Sequence, residues 1–284
     1  MHNGIMNRLS TKQRTQIIAA LVEGNSIRAT CRMTGAAKGT VLKLLSDVGR
    51  ACAEYQDKVF RNLKCKRIQC DEIWSFCYAK KKNVPKNLKD QFGYGDVWTW
   101  TAICADTKLV PTWMVGDRDV DTAAAFMNDL AGRLAGRIQL TTDGLKKYVD
   151  VVADTFKGNV DYAMLVKIYG QEGEGRGMTT AERYNPVNCT ETCVVKISGN
   201  PDPEHISTSF SERQHLTMRM SMRRFTRLTN AFSKKVENLG HAVSLHFMYY
   251  NFARIHQTLR VTPAMGAGIA DHVWSVEEIN NLIK

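Results

Sequence analysis

The sequence predicts an α/β protein in which a mixed β-sheet flanked by helices follows an all-helical segment. Three observations predict it. Residues 9–50 read as three short helices, each with an apolar face at helical spacing. From Arg67 the period shortens to two, and three strand-like runs follow one another: Arg67–Tyr78, Val97–Ala105 and Leu109–Val115. Helix and strand patterns then alternate through Asp121–Leu134, Arg137–Thr142, Leu145–Phe156 and Val160–Tyr169. Consecutive strands followed by an alternation of this kind give antiparallel pairs continuing into crossovers, hence a mixed sheet.

The first helix, Thr11 to Glu23, carries Ile17, Ile18, Leu21 and Val22 on one face, with Ser10 as N-cap and Gly24 as stop. A second runs from Ser26 to Thr34 and ends at Gly35. A third starts near Ala37 with Val41, Leu44 and Leu45 at helical spacing. Cys31 lies four positions before the turn glycine, and Val41 and Leu44 sit where they pack the third helix on the second. That is a helix-turn-helix pattern, whose third helix enters a DNA major groove. Arg28, Arg32, Lys38 and Lys43 are then available for phosphate, with Lys38, Thr40 and Lys43 on the recognition helix. A plain three-helix bundle with a solvated basic face fits the same pattern; the glycine position and the charge favour DNA.

A helical connector, Ala51 to Leu63, leads into the sheet. Gly170–His205, rich in Gly, Pro, Glu and Asn, interrupts it as an irregular insertion carrying Cys189 and Cys193. Helical period returns over Ser207–Arg227 and again over Lys234–Arg254, followed by a tail to Lys284. The expected domains are residues 1–63 (helix-turn-helix and connector), 64–235 (the sheet domain, with its insertion at 170–205) and 236–284 (a C-terminal helix and tail packing on it).

The net charge of +11 over 284 residues favours a polyanionic partner. No apolar run approaches the roughly 20 residues of a spanning helix, and the N-terminus lacks a signal-peptide core, so the expected location is the cytoplasm, in association with the nucleoid rather than a membrane. None of the eight cysteines shows the two-residue spacing of a zinc knuckle, and several lie in apolar stretches as core residues do.

Three carboxylates stand out by position. Asp71 lies inside the first strand, on the face of Gln69, Ile73 and Ser75, where a lone carboxylate is costly unless paired or metal-bound. Asp143 ends the fourth strand against Gly144, and Glu212 opens a helix rich in arginine and methionine. Hard oxygen ligands of this type suit Mg²⁺ or Mn²⁺, and a pair of ions suits in-line phosphoryl displacement. From the residues alone Asp143 also reads as a turn residue and Glu212 as a solvated charge or helix-dipole partner. Glu72 competes with Asp71, but the strand period points it to the opposite face, with Cys70, Trp74 and Phe76.

The segments Cys70-Asp-Glu-Ile-Trp-Ser-Phe76, Leu140-Thr-Thr-Asp-Gly144 and Ser211-Glu-Arg-Gln214 stand in the order of a DDE transposase. The chain resembles the transposases of the insertion-sequence-one family. Tyr250-Asn-Phe-Ala-Arg254-Ile-His256-Gln-Thr-Leu259 with Thr262-Pro263 is similar to a closing motif of insertion-sequence transposases. The resemblance covers residues 9–268. It implies a ribonuclease-H-like sheet, with Asp71, Asp143 and Glu212 as catalytic ligands of two Mg²⁺ or Mn²⁺ ions. It also implies a basic residue two helical turns after the glutamate, here Arg219, on terminal DNA phosphate. Two features depart from the family: the namesake resembles a zinc-finger protein at its N-terminus, and the stretch from Asp143 to Glu212 is long.

After Glu212, Arg219, Arg223, Arg224 and Arg227 make a DNA track beside such a site. Met218, Met220 and Met222 read as packing residues. His215, one turn from Glu212, fits either an orienting or a structural role. The expected activity is 3′-end cleavage of double-stranded DNA at terminal inverted repeats and transfer to target DNA, by a homo-oligomer. The alternatives are a transposase-derived DNA-binding regulator without catalysis and a ribonuclease-H-like nuclease.

Overall fold

The computed structural model describes residues 9–169, 189–226 and 229–283. Three helices come first. In α1, Thr11–Val22, Ser10 and Gln13 form a reciprocal capping box. In α2, Ile27–Thr34, Ser26 caps the start and Gly35, at φ 71°, closes the end in the left-handed region open to glycine. The expected recognition helix and connector are one uninterrupted helix, α3, Lys38–Val59, because no proline divides them and Val41, Leu44, Leu45, Val48 and Cys52 form one buried face.

Gly49, inside α3, is required by a close crossing. A Cβ there would lie 2.6 Å from the carbonyl oxygen of His241 in α7, Val236–Met248. Ser244 Oγ donates to Gly49 O at 2.7 Å across the same seam. The helix expected to run from Lys234 to Arg254 is shorter at both ends: after Met248 it widens into a π-turn over Tyr249–Ala253. That turn carries the fully buried Asn251, whose amide accepts from Val110 N and donates to Val110 O, both at 3.0 Å. Asn251 Nδ2 also lies 3.4 Å from Gln56 Oε1 of α3. The tail motif thus joins the helical segment to the sheet. Beyond it, α8, Pro263–Gly266, and α9, Val276–Asn281, follow; α9 packs on α1, with Ile279 fully buried.

The sheet is mixed and six-stranded. Its strands are β1 Arg67–Cys77, β2 Gly95–Cys104, β3 Thr112–Gly116, β4 Ile138–Thr142, β5 Val160–Tyr169 and β6 Cys189–Ser198, in the order β3-β2-β1-β4-β5-β6. β1 pairs antiparallel with β2 and parallel with β4; β4 and β5 are parallel, and β6 returns antiparallel. β6 falls within the stretch expected to be irregular. Its Thr190, Thr192, Val194, Val195 and Ile197 suit a strand, but its exposure as an edge leaves no apolar face for a periodicity to reveal. The rest of that insertion up to residue 188 lies outside the described residues.

Helices cover both faces. On one, α4, Val120–Arg133, and α5, Lys147–Phe156, pack Phe126 and Tyr148 against Trp100. This core is continuous with Ile17, Val41 and Leu45 of the N-terminal helices. On the other, α6, Ser209–Ser221, and α7 bury Met218, Val243 and Phe247 against Ile73, Val97 and Ile103. The expected helix through Arg227 stops at Ser221, because the chain turns to bury Met222 and Phe225 in this second core. No described helix is long and apolar enough to cross a membrane.

Candidate active site

Register brings the two aspartates together. Cys70 is paired with Thr142 at the end of the β1–β4 ladder, so Asp71 and Asp143 follow side by side where parallel pairing stops. Asp143 Oδ1 accepts from Leu145 N at 3.1 Å, an Asx turn that aims the carboxylate back across the strand end. Asp71 Oδ1 accepts from Glu72 N at 2.8 Å.

The third member of the cluster is Glu72: carboxylate oxygens of Asp71, Glu72 and Asp143 all lie within 4.8 Å of one another. Strand alternation does send Glu72 toward α5, where it accepts from Tyr148 Oη and, at 3.2 Å, from Arg118 Nε. Its carboxylate still lies within 4.8 Å of those of both aspartates, just past the last β1–β4 pair. Arg118 bridges the group, with Nη2 3.5 Å from Asp143 Oδ2 and its guanidinium 4.7 Å above the Trp98 ring.

Burial and mutual repulsion act on all three acids. Asp71 is held well above the usual carboxylate range by burial first, then by the charges of Asp143 and Glu72. Glu72 is pushed up to about 7 by burial and by Asp143, against the opposing pull of Tyr148 and Arg118. Burial raises Asp143, which the Leu145 N–H and Arg118 partly offset. Crowded, partly desolvated carboxylates are relieved by a multivalent cation, and their hard oxygens fit Mg²⁺ or Mn²⁺. The second oxygens of Asp71 and Asp143 are held only loosely, 3.4 Å from His215 Nδ1 and 3.5 Å from Arg118 Nη2, whereas Glu72 is bound by both Tyr148 and Arg118.

Glu212 stands apart from this group. In the first turn of α6, it is ion-paired with Lys167 of β5 and accepts from Thr208 Oγ1 at 2.6 Å, although its charge still acts on Asp71. α6 is seated on the sheet by Gln69, whose Oε1 accepts from Phe210 N at 2.8 Å and Ser211 N at 3.2 Å. One turn on, His215 lies with Nδ1 3.4 Å from Asp71 Oδ2 and Nε2 3.0 Å from Thr101 Oγ1. Burial, with the charge of Arg219 added, lowers its pKa to about 3, so a neutral imidazole faces Asp71.

The basic residues divide. Arg28, Arg32, Lys38, Arg223 and Arg224 line one cleft between the N-terminal helices and the segment after α6. Thr40 and Lys43 are not among its lining residues, and Lys43 pairs with Asp47 at 2.6 Å. Arg219 lies half-buried, 3.4 Å from Phe225 O. Arg227 lies outside the described residues. Sequence reasoning passed over Arg118, Tyr148 and Lys167. Tyr148 is one apolar-face residue among several in α5, Arg118 sits in a turn, and no local signal marks either as a partner of Glu72.

No family model matches the chain, and no curated protein matches it. Among solved structures it is similar to a piggyBac transposase synaptic complex with hairpin DNA. That match has 9% identity and a TM-score of 0.42, over 96% of this chain and 69% of the other. It is also similar to the Mos1 strand transfer complex, at 10% identity and a TM-score of 0.25, over 86% and 78% of the two chains. At these scores neither likeness bears on what this chain does.

Proposed function

We propose that this chain is a DNA transposase of insertion-sequence type, a metal-dependent polynucleotidyl transferase on a ribonuclease-H-like sheet. The observation that carries the reading is the side-by-side placement of Asp71, inside β1, and Asp143, just past the end of β4, where the two parallel strands stop pairing, with their oxygens within 4.8 Å. The ordered motifs around Asp71, Asp143 and Glu212 supply the insertion-sequence type. Asp71 and Asp143 would hold the divalent ions, Mg²⁺ or Mn²⁺, and Glu212, here paired with Lys167, would complete the set. When bound, such ions activate a water nucleophile and stabilise the leaving oxygen of an in-line displacement. His215 and Arg118 fix the orientations of Asp71 and Asp143. The helix-turn-helix of α2 and α3 holds the terminal inverted repeats of double-stranded DNA, and a homo-oligomer joins two ends to target DNA in the cytoplasm. A second assignment of the third ligand, Glu72, is favoured by its distance to the aspartates.

Purified protein, a labelled terminal-repeat duplex and Mg²⁺ test this reading. It expects nicking followed by joining, with both lost by at least about a hundredfold in Asp71→Asn and Asp143→Asn. Binding without nicking would favour a regulator, and nicking without joining a nuclease. Glu212→Gln and Glu72→Gln in the same assay identify the third ligand as the one whose loss abolishes nicking.

A further inference from the structure

A cleft of about 1270 Å³ separates the N-terminal helices from the far end of β1. Its helical wall carries Arg28, Arg32 and Lys38; its sheet wall carries Lys80, Arg223, Arg224 and Lys234. Among the described residues no aspartate or glutamate lines it, and none of these cations pairs with a carboxylate. Arg224 is half-buried and donates to Ser233 Oγ at 2.6 Å. Burial lowers it only to about 10, so it stays charged at neutral pH. A partly desolvated guanidinium with no anion beside it is a costly feature to keep unless an anion arrives.

The cleft also carries aromatic rings. Phe76 and Phe232, which both line it, lie with centroids 4.6 Å apart, and Lys234 Nζ sits 4.0 Å over the Phe232 ring. Tyr78 is 39% exposed and stands edge-on to Tyr94 at 5.2 Å. Its backbone is in the left-handed region, φ 66°, which a bulky side chain rarely adopts. The conformation is held by Tyr78 N donating to Ser233 O at 2.9 Å. Local strain that keeps a large ring half in solvent is characteristic of a binding position. By strand rise, Tyr78 stands roughly 23 Å along β1 from Asp71, so the cleft is separate from the carboxylate cluster.

We propose that this cleft binds an unpaired DNA strand, its phosphates on the cations and a base stacked on Tyr78. Cations alone would serve a duplex equally well. A duplex keeps its base faces stacked on each other, and interleaved rings and cations are what unpaired bases use. The inference takes its partner class, DNA, from the function proposed above, but not its chemistry.

The test is binding by the full chain in EDTA, where no cleavage occurs. Fluorescein-labelled duplexes, one blunt and one with a short unpaired extension bearing 2-aminopurine, are compared by anisotropy and base fluorescence. The extension is expected to bind about tenfold tighter and to change its 2-aminopurine signal on binding. Tyr78→Gly, which suits the positive φ and keeps the fold, should erase the preference and leave blunt-duplex affinity unchanged. Arg223→Gln should weaken both probes and lower the salt slope by about one. Equal binding of the two probes, or a preference that survives in Tyr78→Gly, would overturn the proposal. So would displacement of the extended probe by phosphatidylserine vesicles from wild type but not from Arg223→Gln. Absence of nicking with Mg²⁺ alongside an intact extension preference would count against the catalytic reading alone.

Discussion

The α3–α7 seam and the open end of the β1–β4 pair are both partly buried and both polar, yet they are built on opposite principles. At the seam, polar groups meet complements. Ser244 bonds Gly49 O, Gln56 Nε2 bonds Ser244 O, and Asn251 closes on both backbone groups of Val110. At the strand end, three like charges face one another and all are shifted toward their neutral forms. Satisfied polar groups lock a unique packing, whereas crowded carboxylates sacrifice stability for affinity toward a cation. The first region holds the second in place: Asn251 ties α7 to the stretch leading into β3, and α7 with α6 covers the face bearing Asp71.

The largest expected effects come from breaking the seam. Gly49→Ala drives a methyl into the His241 backbone and should cost about 3 kcal/mol in urea unfolding. Asn251→Ala should cost about 2–3 kcal/mol by orphaning the buried Val110 N–H and C=O. Losses below about 0.5 kcal/mol would mean that the helices part easily and the comparison fails.

A smaller effect probes a flaw in the seam itself. His246 is buried, and its Nε2 has no hydrogen-bond partner among the described residues. Burial, with Arg254 adding, depresses its pKa from 6.5 to about 3. The unfolded imidazole therefore binds a proton between those values while the folded one does not. Stability present above pH 6.5 is lost as pH falls toward 3, by on the order of 2 kcal/mol at pH 5. His246→Phe should remove that component from the difference between pH 7 and pH 5 stabilities; an unchanged difference would show that the ring protonates in place.

The smallest effect has the opposite sign. Asp71→Asn in metal-free buffer should raise stability by about 1–2 kcal/mol, because it removes one of three repelling charges. A loss of stability would show that the cluster is held together by its hydrogen bonds rather than strained by its charge.

Much of the sheet and the aspartate pair were legible in the sequence, because periodicity reports burial and a carboxylate inside an apolar strand demands an explanation. The strands from Arg67 to Tyr169 emerge within three residues of their expected bounds. β6 was not legible, since an exposed edge strand has no apolar face. The third helix and the helical connector were expected separately, and their union in α3 shows only where Val41 to Cys52 form one buried face in the fold. Glu72 was set aside on strand alternation, which does send it toward α5 but still leaves its carboxylate within 4.8 Å of those of the aspartates. Arg118 and Lys167 reach their carboxylates from other elements, and no local pattern encodes such a meeting.

The central claim is that Asp71 and Asp143 form a cation site, and metal-dependent stabilisation tests it most directly. Thermal unfolding of wild type, Asp71→Asn and Asp143→Asn is followed with increasing Ca²⁺ and then Mn²⁺. The account predicts a melting temperature that climbs with metal in wild type and stays flat in both variants, from a higher metal-free baseline in Asp71→Asn. Equal metal-induced rises in all three proteins, or none in wild type, would contradict it.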